Sequence, residues 1–184
     1  MFGDSMIKHV PSFAGTDIIC KPGVTLAALA RDIFIKHRYS LVNSDLVLML
    51  AGTNDIDDCT VQELLEIVRN IVAKFRESFQ GHIGFSTIIP RPRDGRNLAN
   101  KVKVYNQQLV AWCALNGCFC MRTHSPFLKG GLPRMRLFNR GLLHLSTRGP
   151  FPSGTYVLKN FLKSELSDKT LIPRIREVEA KFYA

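Results

Sequence analysis

The order of elements in this chain predicts an α/β fold, a parallel sheet covered by helices on both faces. Three observations carry that expectation. Leu46 to Leu50 is an unbroken apolar run stopped at Gly52, the pattern of a central parallel strand buried on both sides. Amphipathic helical stretches alternate with short strand-like runs. The connections are short, and no repeat, low-complexity tract or long linker interrupts them.

Each element has a local reason. Only Met1 and Phe2 precede Gly3-Asp4-Ser5, so the first strand has little room, and the chain reads as part of a longer protein. Asp17-Ile18-Ile19-Cys20 predicts a short strand ended by Pro22-Gly23. Thr25 predicts the cap of a helix whose apolar face is Leu26, Leu29, Ala30, Ile33 and Phe34. Thr60 and Glu63 form a capping-box pattern ahead of Leu64, Ile67, Val68, Ile71, Val72 and Phe75. Ile83 to Ile89 predicts another strand, closed by Pro90 and Pro92. A helix is expected from about Leu98 to Leu115, with Val102, Tyr105, Leu109, Val110 and Trp112 inward. Phe119 and Met121 belong to a last short strand, and Ser153 predicts the cap of a closing helix through Tyr156, Val157, Phe161 and Leu162.

Composition bounds the function classes. A length of 184 residues with 46% apolar residues predicts one globular domain over 1–184. No stretch approaches the ~18 apolar residues of a membrane span, and no leader pattern of basic segment and apolar run is visible. Five cysteines at irregular spacing predict free thiols in a reducing compartment, hence an intracellular location, cytoplasmic and/or nuclear. The formal net charge is +10 and unevenly spread. Between Asp94 and Glu165 there is no acidic residue, while that interval holds eleven basic ones: Arg96, Lys101, Lys103, Arg122, Lys129, Arg134, Arg136, Arg140, Arg148, Lys159 and Lys163. Such a bias fits RNA phosphates or an anionic membrane surface; it equally fits a basic protein kept soluble by its charge.

In a parallel sheet, sites form at the carboxyl ends of the strands. Ser5, Gly23, Asn54 and the loop carrying Arg91, Arg93 and Arg96 each follow a predicted strand, so all are expected at one sheet edge. Their chemistry fits together. A serine hydroxyl is a poor nucleophile until a base takes its proton, and His144 can be that base. A tetrahedral intermediate needs donors at its oxyanion, and Ser5 N–H, Gly23 N–H and the Asn54 carboxamide can supply them. Gly23 lets the backbone approach a substrate closely. Asp4 and Asp55 read as residues that order their loops. Arg91, Arg93 and Arg96 are candidates for a phosphate-bearing head group, against the reading of a solvated loop.

Gly3-Asp4-Ser5, Gly23, Gly52-Thr53-Asn54-Asp55 and His144 resemble, in this order, the blocks of the SGNH (GDSL-like) hydrolase superfamily of esterases, lipases and acetylhydrolases. Gly3-Asp4-Ser5-Met6-Ile7-Lys8, Pro22-Gly23 and His144-Leu145-Ser146 are also similar to the esterase domain in the first open-reading-frame protein of LINE (non-LTR) retrotransposons. The resemblance spans Gly3 to about Leu162. It implies a flavodoxin-like three-layer α/β/α sandwich on about five parallel strands, and hydrolysis of small acyl or lipid esters without a cofactor or metal. It also implies that oligomerisation and RNA-binding segments would lie outside this sequence.

One position departs from the pattern. The family usually carries an aspartate three residues before the histidine, and here that residue is Gly141. Three arrangements are compatible with this. A backbone carbonyl near Gly141 orients the ring and leaves a Ser5–His144 dyad, Asn139 takes the acceptor role, or the site is weakened into an inactive, binding module. Of the other histidines, His9 and His82 sit in predicted elements away from the site, while His37 and His124 remain competitors for the base. Cys113, Cys118, Cys120 and His124 match no common zinc spacing and read as buried thiols with an unrelated histidine. No glycine-rich phosphate loop is present.

Overall fold

Leu46–Leu50 forms the middle strand of a five-stranded sheet in a computed structural model that describes residues 1–13, 15–147, 152–168 and 170–183. The strands are β1 (Phe2–Gly3), β2 (Ile19–Cys20), β3 (Leu46–Leu50), β4 (His82–Ser86) and β5 (Phe119–Met121). Their spatial order is β2-β1-β3-β4-β5 and every pair is parallel. The helices are α1 (Leu26–Lys36), α2 (Arg38–Val42), α3 (Val61–Arg76), α4 (Arg96–Leu115), α5 (Gly154–Leu166) and α6 (Leu171–Tyr183).

The strand period of two divides the apolar residues between two layers. Val47 and Met49 of β3 and Ile83 and Phe85 of β4 pack with the inner faces of α1, α3 and α4. Leu48 and Leu50 point the other way, into a second cluster with Met6, Ile7, Leu145, Leu158 and Leu162. Helices therefore cover both faces, as a continuously apolar central strand requires.

Local signals set the helix starts. Thr25 accepts from Ala28 N–H, Ser153 accepts from Tyr156 N–H, and Thr60 with Glu63 makes both halves of the capping box. Two predicted strands are shorter than their apolar runs. β1 has only two residues, so β2 pairs only through Ile19 and Cys20. β4 ends at Ser86 because the Asn106 carboxamide takes over at Ile88, accepting from its N–H at 2.8 Å and donating to its carbonyl at 2.9 Å. A side chain there replaces a strand neighbour. The α4 helix begins at Arg96, and its Val110 and Trp112 are half-buried at the edge of the predicted apolar face. After β5 the chain forms a small antiparallel hairpin, β6 (Leu128–Lys129) and β7 (Leu132–Pro133), that the sequence reading leaves as loop.

Candidate active site

β1 delivers Ser5 to the carboxyl edge of the sheet. Gly3 is the last strand residue, and a Cβ there would lie 2.7 Å from the Leu50 carbonyl oxygen and 2.8 Å from Ile7 Cδ1. Only glycine lets β1 lie this close to β3. Asp4 N–H then donates to Leu50 O at 3.0 Å, and the Asp4 carboxylate caps a 3₁₀ turn (Ser5–Ile7) by accepting from Met6 N–H at 2.9 Å. Ser5 sits half-buried at the head of that turn.

Gly23 follows β2 in a turn closed by Val24 N–H to Lys21 O, with φ of 73°. Pro22 ahead of a glycine in the left-handed region suits such a turn. Asn54 and Asp55 follow β3 and bind the same loop. The Asn54 Nδ2 donates to Val24 O at 2.9 Å, and the Asp55 carboxylate accepts from Leu26 N–H at 3.0 and 3.2 Å. One amide hydrogen of Asn54 is thereby engaged, the carboxamide plane is held, and the second hydrogen is left for another acceptor. Among the described residues the N–H groups of Ser5 and Gly23 have no acceptor. β2, β1 and β3 are neighbours, so these three donors hang from adjacent strand ends about 5 Å apart.

His144 lies exposed on a loop between Phe138 and Leu145, which pair with each other. Asn139 N–H donates to His144 O at 2.8 Å, and Leu142 carries the left-handed φ of 53°. Leu145 is buried in the cluster that holds Met6 and Ile7, so the residues beside Ser5 and beside His144 share one apolar layer. Ser146 Oγ accepts from Gly154 N–H at 2.8 Å and fixes the start of α5. Arg93 N–H donates to Leu142 O at 3.2 Å, joining this loop to the one after β4. Among the described residues neither the Ser5 hydroxyl nor the His144 ring makes a hydrogen bond, to each other or to a third group. Asn139 engages the loop through its backbone, and its Oδ1 lies where a Cβ at residue 141 would meet it at 3.5 Å.

The competing histidines are accounted for elsewhere. His37 packs against Phe2, with ring centroids 5.1 Å apart and the planes tilted by 57°. His124 follows β5, three strand spacings from β1, about 14 Å at the usual separation. Its Nδ1 is 2.7 Å from Thr87 Oγ1. All five cysteines are free thiols, and Cys113 is hydrogen-bonded to Cys120, which together with burial pushes its pKa well up.

Arg91 requires a correction to the sequence reading. Its side chain is 4% exposed, pairing with Asp94 at 2.9 Å and Asp57 at 3.0 Å and donating to Thr53 O at 2.9 Å. A guanidinium so occupied braces the Asn54 loop and is not available to a head group. Arg93 and Arg96 are exposed. The bracing role of Arg91, and the reach of Asp55 to α1, have no short-range sequence signal, since Thr53 and Asp57 in the one case and Leu26 in the other are tens of residues away.

Asp4 adds a pH dependence. Burial pushes its carboxyl above the ordinary range, against the pull of Met6 N–H and Thr53. A raised folded pKa means tighter proton binding in the folded protein. Stability therefore falls as pH rises between the ordinary and the raised value, and stays lower above it. Asp4→Asn keeps an acceptor for Met6 N–H and removes the buried charge. It is expected to be at least as stable as the wild type at pH 7 and to lose that advantage below about pH 4, as urea titrations at the two pH values would report.

Comparison with solved structures finds the same architecture. A lipolytic protein of the G-D-S-L family from Veillonella parvula has a TM-score of 0.69 at 14% identity, covering 91% of this chain and 96% of that one. A GDSL-like lipase from Bacteroides thetaiotaomicron has a TM-score of 0.70 at 12% identity, covering 96% and 86%. The esterase domain of the ORF1 protein from the zebrafish ZfL2-1 retrotransposon has a TM-score of 0.50 at 23% identity, covering 90% and 96%. At these identities the likenesses establish the fold. No curated protein sequence matches the chain significantly. Among the described residues no helix is long and apolar enough to cross a membrane. The family model of the GDSL-like lipases and acylhydrolases matches residues 14–149, a stretch that takes in Gly23, Asn54 and His144 and begins after Ser5. With the fold, the ordered strand-end loops and this match together, the chain belongs to the GDSL-like lipase/acylhydrolase family.

Proposed function

We propose that this protein is a serine esterase acting on small acyl or lipid esters, with Ser5 as nucleophile and His144 as the base and then acid of a dyad. The observation that carries the reading is the stitched set of loops on three adjacent strand ends, with Asn54 held by Val24 O and carrying one amide hydrogen free for an oxyanion. Ser5 Oγ attacks the ester carbonyl as His144 takes its proton. Ser5 N–H, Gly23 N–H and Asn54 receive the negative charge. His144 returns the proton to the leaving alkoxide, and water attacks the acyl-enzyme by the same route. The ring and hydroxyl close on each other with substrate present, as catalytic hydrogen bonds commonly tighten in the complex.

A fluorophosphonate probe tests the nucleophile directly. Labelling of the wild type and none of Ser5→Ala is expected; labelling that persists in Ser5→Ala would end the reading. Asn54→Ala is expected to lower kcat by about 100- to 1000-fold with KM little changed, the pattern of a contact made in the transition state. Steady-state kinetics on a short-chain nitrophenyl ester check it.

A second reading, an inactive or weak hydrolase-fold module that binds RNA or an anionic membrane, is favoured by one observation. Arg122, Lys129, Arg136 and Arg140 are all exposed in the acid-free interval, with Arg148 outside the described residues. Binding to RNA or acidic vesicles that falls steeply with salt would support it, and a flat salt response would not. The LINE-type context, with RNA-binding and oligomerisation segments outside this chain, belongs to the same proposal.

A further inference from the structure

A cavity of about 720 Å³ lies between α4 and the β6–β7 hairpin, in the size range of small-molecule sites. Its lining includes none of Ser5, Gly23, Asn54 and His144; it draws on the loops after β4 and β5, two and three strands from β1. Val102 and Val110 of α4 and Leu128, Leu132 and Pro133 of the hairpin line it, with the amides of Asn100, Asn106 and Gln107 among them. Leu132 is 71% exposed at this lip, apolar surface that an apolar occupant would cover. The polar groups are biased to one sign. Lys103 and Arg122 line the cavity and are exposed, and its one carboxylate, Asp94, is already paired with Arg91. His124 also lines it, with Nδ1 engaged by Thr87 and Nε2 as its remaining ring nitrogen. No Phe, Tyr or Trp is among the lining residues, so there is no stacking platform for a nucleobase.

We propose that this cavity binds a single-chain carboxylate amphiphile, a fatty-acid-type anion, with its alkyl chain between Val110 and the hairpin and its carboxylate at Arg122 and Lys103. Apolar stretches of wall with two cations beside them suit one negative head on one apolar tail. A cationic amphiphile of equal length would leave both cations repelled, and a polar anion without a tail would leave the walls uncovered. None of Ser5, Gly23, Asn54 and His144 lines the cavity, so the proposal stands without the esterase reading; the two sites share Arg91, which lines the cavity and braces the Asn54 loop.

The test uses the full chain and titrates dansyl-labelled undecanoic acid, which carries no ester bond to be cleaved, below its micelle concentration. Saturable binding is expected, displaced by dodecanoate and not by dodecylamine or acetate. Arg122→Gln and Lys103→Gln, both at exposed positions, should each weaken binding by about tenfold, the worth of one charge-assisted hydrogen bond. Leu132→Asp, also exposed, should weaken it further. Equal displacement by dodecylamine, or unchanged affinity in all three variants with circular dichroism intact, would overturn the proposal and indicate general apolar adsorption. Displacement by a nucleotide would overturn it in favour of a different ligand class.

Discussion

Ser5→Ala is expected to cut kcat on a short-chain nitrophenyl ester by about 10²- to 10⁴-fold, well short of the loss in a complete triad. The range follows from what each member of such a site contributes. In a serine-protease triad, losing the serine costs about 2 × 10⁶ in kcat and losing the aspartate alone about 3 × 10⁴. Their ratio leaves about 10² for a serine and histidine with no acceptor behind the ring. Residue 141 is a glycine, and no carboxylate lies between Asp94 and Glu165, so that lower value is the floor. A backbone carbonyl holding the correct tautomer would move the loss toward the upper value. The size of the drop therefore reports what stands behind His144. His144→Ala should cost about as much as Ser5→Ala, and the double variant no more, because the two act as a unit. A wild-type rate in Ser5→Ala would remove the serine from the chemistry.

Arg91→Met is expected to destabilise the fold by about 3–5 kcal/mol, measured by urea unfolding. The Arg91 and Asp94 side chains are each 4% exposed. Removing the guanidinium leaves a buried carboxylate without its cation and the Thr53 carbonyl without a donor. An uncompensated buried charge is costly, whereas replacing both members with apolar residues is often close to neutral. Arg91→Met combined with Asp94→Leu should therefore recover much of the loss. A change below about 1 kcal/mol in the single variant would class the pair with ordinary surface bridges.

Where the chain's own local chemistry decides, the fold was legible. Thr25, Thr60 with Glu63, and Ser153 start helices through bonds that reach three residues ahead, within the span a pattern can see. The run from Leu46 to Leu50 announced a buried central strand because both of its faces had to be apolar. What escaped depends on distant partners. The apolar run after His82 promised a longer β4, but Asn106 claims Ile88 from eighteen residues away in sequence. Arg91 looked like a free cation in a Pro-rich loop, and only folding brings Asp57 and Thr53 to it. The sequence placed Ser5, Gly23 and Asn54 on one edge through strand order alone. It could not reveal that Asn54 is tied to Val24, a bond across thirty positions of chain. The strands of the hairpin at Leu128–Pro133 are too short to show a period, and Pro173 reads as a breaker although it falls in the first turn of the helix Leu171–Tyr183, where proline is tolerated.

Met6 and Ile7 on one side and Leu145 on the other are rooted in the thinner of the two apolar layers, the one beneath α5. The hydroxyl and the imidazole thus ride on a shared raft, while the larger layer under α1, α3 and α4 carries neither. Warming that loosens the raft should silence turnover before the main body melts, so the temperature of half-activity would fall below the midpoint seen by far-ultraviolet circular dichroism.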